Sequence, residues 1–352
     1  MIVTAEQLTF LTGQYKTTHV ESNTCKIPKY GNKFPLQARP SGNFHGILNK
    51  DDNLVRQLFH SAKVSGTVFN PDGSPNKRLK TGHKSSAEFS TLWTERKDKT
   101  LENNKAISPP NQYQFNGKQL CVYFSLPKIV DTGTGEIGLK LVPSDYFSQA
   151  IARRSSQGYS NNDISTVRAA YNCGSIMLVM TSDNKVVFGH RGGQPMFPAG
   201  FILGARSQIT DESIAPILTE IGKTTTFEDL ARDTALKERR EEVYDDQGEW
   251  ETEIITFGAI GETLCWPSKQ EDRSFQKPVF VIKSTVFMER IPASSTELNT
   301  LRNERAPRDV HELGELHFLS EDDFSSASSD NNFIVEHGTC YKMLSQFFSE
   351  KN

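Results

Sequence analysis

Hydrophobic and polar positions divide the chain unevenly. Up to about residue 115 the periodicity is weak, Asn, Lys, Ser, Thr and Gly dominate, and FNPDGSPNK at 69–77 is turn-prone. Order begins at LCVYFSL (120–126), which predicts a strand ended by Pro127. GLKLVPSDYFSQAIARRS (138–155) predicts a short strand and then a helix capped by Ser144. From Tyr171 the pattern is dense. GSIMLVMT (174–181) is a continuous apolar run, the mark of a buried central strand. Ser182-Asp183-Asn184 is a turn signal and KVVFGHR (185–191) a second strand, so a hairpin is predicted. MFPAGFILG (196–204) adds a short strand at Pro198-Ala199-Gly200. After a polar insertion at 205–226, FEDLARDTALKERREEVYDD (227–246) has the best helical periodicity in the chain, with Thr226 as its cap. EIITFGAIGETL (253–264) and PVFVIKSTVF (278–287) predict two strands, ELGELHFLS (312–320) a short third, and FIVEHGTCYKMLSQFF (333–348) a closing helix in its C-terminal half. Strands and helices interleave, so the class is α/β or α+β. The expected division is an N-terminal accessory region at 1–165, partly irregular, and a second domain at 166–352.

The 227–246 helix carries the candidate chemistry. Glu238, Glu241 and Glu242 stand at i, i+3 and i+4, which places them on one face. Like charges so arranged repel and need water or a bound cation to offset them. An ExxEE pattern alone is usually a solvated face. Here Ala231 and Ala235 lie on the same side, and small residues there predict that the face packs against protein. Clustered carboxylates on a packed face need a counter-ion, and hard cations take oxygen ligands.

With these elements in order, residues 171–348 resemble a Nudix hydrolase domain. The family's box runs Gly, five residues, Glu, seven residues, Arg-Glu, aliphatic, any, Glu-Glu, any, Gly. Lys237-Glu238 stands at its Arg-Glu, Glu241-Glu242 at its Glu-Glu, Asp229 at its earlier Glu, and Pro198-Ala199-Gly200 resembles the preceding Pro-Gly-Gly strand. The chain departs from the box at Lys223, Lys237, Arg239 and Tyr244, and in the long insertion before the helix. The resemblance implies a mixed sheet sandwiched between helices. It also implies Mg²⁺- or Mn²⁺-dependent cleavage of a diphosphate in a nucleoside diphosphate linked to another moiety. It assigns ligation to Glu238, Glu241 and Glu242 with the carbonyl of Gly200 or Ala199, and helix support to Lys237 and Asp229. Such a cation stabilises charge developing on phosphate oxygens and lowers the pKa of an attacking water. The general base stays open among Glu271, Asp272, Glu312 and Glu315. Arg191, Phe197 and Trp266 are candidates to meet a substrate's phosphate or ring. The alternative is a catalytically reduced fold that binds or senses a nucleotide or RNA.

Composition narrows the partners. A net charge of −3 over 352 residues gives no general bias toward nucleic acid or an anionic membrane. Locally, 77–105 holds nine basic groups counting His83, which makes RNA a possible partner of that stretch. No apolar run reaches about 18 residues and no secretory signal is visible, so the expectation is no membrane span and a cytoplasmic protein. The five cysteines are scattered without zinc spacing, which points to a reducing compartment.

Overall fold

The computed structural model describes residues 171–191, 194–202, 227–267, 276–325 and 335–350, with shorter pieces before residue 146. A ten-stranded mixed sheet dominates. Its strands are β1 (Ile2–Thr4), β2 (His19–Glu21), β3 (Phe44–Leu48), β4 (Gly174–Met180), β5 (Val186–Arg191), β6 (Gln194–Met196), β7 (Ala199–Phe201), β8 (Glu253–Pro267), β9 (Gln276–Arg290) and β10 (His317–Leu319). The order is β6-β5-β4-β9-β8-β3-β2, with β1 beside β9, β7 beside β4 and β10 beside β5. The helices are α1 (Phe227–Glu242), α2 (Ser295–Glu304), α3 (Val310–Leu313), α4 (Glu321–Ser325) and α5 (Val335–Ser349).

β4 runs parallel to β9, from Gly174 opposite Ser284 to Met180 opposite Arg290. It is buried along its whole length, as a central strand covered on both faces must be. Its side chains alternate between two cores. Met177 and Val179 pack with Leu230, Ala231, Ala235 and Val243, on the α1 side. Ile176, Leu178 and Met180 pack with Cys340, Tyr341, Met343 and Leu344, on the α5 side. β8 and β9 form a long antiparallel hairpin, with register shifts at Thr256/Gly258 and Ile260/Gly261.

Three elements depart from the sequence expectation. β3 pairs with β8, β2 with β3 and β1 with β9, so strands from the N-terminal 50 residues join the main sheet. Ser144 caps no helix: Leu141–Asp145 is a strand with Pro143 opposite Leu120. Residues 295–304, between the strands predicted at 278–287 and 312–320, form α2, which starts with a capping box in which Ser294 and Glu297 satisfy each other's backbone N–H groups. The β4–β5 turn docks on this helix start. Asp183 accepts from the Ser295 amide (2.8 Å) and hydroxyl (2.7 Å). Thr226 and the 205–226 insertion lie outside the described residues, as does most of the basic 77–105 stretch. No helix among the described residues is long and apolar enough to cross a membrane.

Replacing the cap tests this reading of α2. Ser294→Ala should lower unfolding stability by about 1 kcal/mol in a denaturant titration, since two N–H groups lose their acceptor geometry together. An unchanged midpoint would show that docking, and not the cap, sets the helix start.

Candidate functional site

Helix α1 lies against β4 and β7 because Ala231 and Ala235, both fully buried, allow close approach. The face that continues from these alanines carries Glu238 and then Glu242, one turn apart. Glu242 is only 1 % exposed, and both its carboxylate oxygens are buried without a hydrogen bond of regular geometry. Glu238 is half-buried and sits against Gly200, where any Cβ would fall on the Glu238 carboxyl. Glycine at 200 is therefore what lets β7 pass beneath that side chain.

The backbone of β7 is oriented by its register. Met177 donates to the Pro198 carbonyl and Ile202 to the Cys173 carbonyl, both 2.9 Å, and Gly200 lies opposite Ser175. Antiparallel ladders alternate, so the carbonyl of Gly200 belongs to the ladder with Ser175 while the N–H and C=O of Ala199 point off the strand. Of the two carbonyls expected as a backbone ligand, that of Gly200 belongs to the ladder and that of Ala199 is left outside it. The Ala199 backbone also favours the charged form of Glu242.

Burial dominates the electrostatics. It pushes Glu238 up to about 7, opposed by Lys237 and Arg191 and reinforced by Glu241 and Glu312. It drives Glu242 well above the carboxylate range, with Glu238 adding repulsion and Arg191 opposing it. Two acids so placed share protons or gain a cation.

Glu241, expected to join them, is held elsewhere. Its carboxylate pairs with Lys237 (3.0 Å) and Arg308 (3.6 Å). Asp229 is exposed; the buried acid in the first turn is its neighbour Glu228, which accepts from Thr256 (2.7 Å) and Arg232 (3.2 Å). Phe197 offers no surface to a ligand: it is fully buried on the α5 side, and its amide donates to Nδ1 of His337 (3.1 Å). Trp266 lies in β8 opposite Lys277, and its side chain is outside the described residues, as are Gly192, Gly193, Glu271 and Asp272. Arg191, at the exposed end of β5, pairs with Glu312 of α3 at 2.6 Å.

Two residues that support the helix were not singled out by sequence. Arg302 is buried and donates to the carbonyls of Glu242 and Val243 at the end of α1, and to those of Val310 and Gly314 on either side of Glu312. Glu289 is fully buried and accepts from Arg239 (2.9 Å), whose other nitrogen reaches Asp246 (3.2 Å). The Arg239 guanidinium lies 4.3 Å from the centre of the Tyr244 ring. The departures from the box at 239 and 244 are thus partners in one buried cluster that ties α1 to β9. Breaking such a pair costs far more than the pair contributes, because a lone charge stays buried.

Among the described residues no three His, Cys, Asp or Glu side chains are grouped to hold a metal. Two carboxylates and the off-ladder Ala199 backbone still suit a hard cation that keeps several waters. The orphaned oxygens of Glu242 are the observation that fits one. No family model and no curated protein matches this chain. Among solved structures, that of "Tm1382, a putative Nudix hydrolase" is similar over 65% of this chain and 99% of that one, with a TM-score of 0.31 and 10% identity. At that level the likeness carries no weight for the site.

The raised Glu238 has a consequence for stability. Its folded pKa of about 7 exceeds the ordinary 4.5, so between these values the native state holds more protons than the unfolded one. Its contribution is favourable below pH 4.5 and is lost as pH rises through 7. Chelator-treated protein should therefore lose melting temperature from pH 5 to 8 relative to Glu238→Gln, by thermal denaturation. Parallel curves for the two proteins would contradict the assignment.

Proposed function

We propose that this chain is a metal-dependent hydrolase of phosphoric anhydrides, of Nudix type, acting on a nucleoside diphosphate linked to another moiety. The observation that carries the reading is Glu242: a carboxylate fully inside the protein, beside a second carboxylate, with neither oxygen in a hydrogen bond of regular geometry. Leaving such a group unpaired costs several kcal/mol, which favours a cationic partner. Glu238 and Glu242 would hold Mg²⁺ or Mn²⁺, with the Ala199 carbonyl as a backbone ligand. Bound there, the ion would neutralise charge on the diphosphate oxygens and acidify an attacking water.

The chain's own residues have separable roles. Arg191, at the open end of β5, would bind a phosphate oxygen through charge-assisted hydrogen bonds. Gly200 leaves room for the Glu238 carboxyl. Arg239 and Arg302 fix α1 from its other sides, so the two carboxylates need not reorganise during reaction. Lys237 would hold Glu241 in reserve as a third acid near the site. That engagement of Glu241 also favours the second reading, a nucleotide-binding protein with reduced turnover, because two carboxylates make a weaker platform than three.

A panel of nucleoside diphosphate derivatives with Mg²⁺ or Mn²⁺ tests the proposal. Wild-type protein should release phosphate-containing product in a cation-dependent way. Glu242→Gln should lower the rate by two or more orders of magnitude, the usual scale for losing a charge-stabilising group. Equal inertness of both proteins on every substrate would leave the binding reading standing.

A further inference from the structure

The Arg191–Glu312 pair lies at the same carboxylates, and its geometry poses a question of competition. Arg191 contacts Glu312, and its charge favours the charged forms of Glu238 and Glu242. A guanidinium drawn onto the buried pair would occupy the place of a divalent cation. An exposed ion pair is weak, on the order of 0.2–1 kcal/mol, whereas attraction grows as the surroundings become less polar. Arg191 and Glu312 are 49% and 31% exposed, so Glu312 holds Arg191 by a narrow margin.

The margin depends on where Glu312 stands, and the fold fixes that point. Helix α3 is wedged between β5 and α1: a Cβ at Gly189 would fall on the Leu313 backbone, and the Asp309 amide donates to the Glu241 carbonyl at 2.8 Å. Arg302 ties α3 to the end of α1, donating to Val310 (3.1 Å) and Gly314 (2.7 Å) on one side and to Glu242 and Val243 on the other. Glu312 is thus locked by backbone contacts to the helix that bears Glu238 and Glu242, while Arg191 reaches it through a long flexible side chain.

We propose that Glu312 is a positioning residue that berths Arg191 clear of the Glu238–Glu242 pair, leaving that pair open to a divalent cation and the guanidinium free to meet a substrate phosphate. The proposal rests on the metal reading of this site. The guanidinium carries five N–H donors, more than one carboxylate takes up, so Arg191 keeps donors for an anion. Without Glu312, Arg191 moves onto the two glutamates and competes with the metal.

A double-mutant cycle in Mn²⁺ affinity tests this, read by calorimetry on the full chain without substrate. Glu312→Gln, which keeps shape and removes charge, should weaken Mn²⁺ binding by roughly fivefold or more, the factor equivalent to an exposed pair's upper range. Arg191→Met should bind Mn²⁺ at least as tightly as wild type. The double variant should return to the Arg191→Met affinity. An unchanged affinity in Glu312→Gln overturns the proposal. So does a loss that persists in the double variant, since Glu312 would then be a direct ligand. Wild type that binds no Mn²⁺ in a Glu242-dependent manner overturns the metal reading itself, and this inference with it. Wild type that binds while the cycle is flat overturns this inference alone.

Discussion

Two acids one turn apart on a packed helix face set the terms for this site. Glu242 is removed from water, Glu238 is half-buried beside it, and neither oxygen of Glu242 holds a hydrogen bond of regular geometry. Desolvation opposes charge on both, and mutual repulsion adds to it. A chain that only needed to fold would gain by replacing them with apolar residues of similar size. Their retention in the core makes sense if the unsatisfied charge is used.

The surrounding residues read as devices for holding that arrangement. The side chains of Ala231 and Ala235 bring α1 onto the sheet, and the missing side chain of Gly200 lets β7 approach Glu238. Arg239 bonds Glu289 and Asp246 and covers Tyr244, which fixes α1 to β9. Arg302 gathers four backbone carbonyls and so binds the end of α1 to α3. Two buried arginines thus fasten α1, while the buried Glu242 at its end is left without a comparable partner. Preorganised charge of this kind costs folding stability and lowers the reorganisation needed in a reaction.

The central elements were legible because local pattern and tertiary role agree there. The unbroken apolar run at 174–180 is a strand buried on both faces, and the periodic stretch after Phe227 is α1. The N-terminal strands were not legible, since their partners lie far away in sequence: Leu48 pairs with Gly258. Ser144 has the chemistry of a helix cap, but Pro143 lies opposite Leu120 in a strand pair, and pairing outweighs local preference. Helix α2 did carry a readable signal, Ser294 three residues before Glu297. On α1, helical spacing put Glu238 and Glu242 on one face but could not separate them from Glu241, whose pairing depends partly on Arg308. Arg302 leaves no pattern at all, because its partners are carbonyls that every residue carries. Arg239 stood only as a departure from the box; its partner is Glu289, fifty residues on.

Diffraction from crystals soaked in Mn²⁺, recorded where manganese scatters anomalously, examines the central claim directly. The account predicts an anomalous peak in contact with a carboxylate oxygen of Glu242 and one of Glu238, beside the backbone of Ala199. A carboxyl pair that stays metal-free at saturating Mn²⁺, sharing a proton between the two side chains, would contradict it.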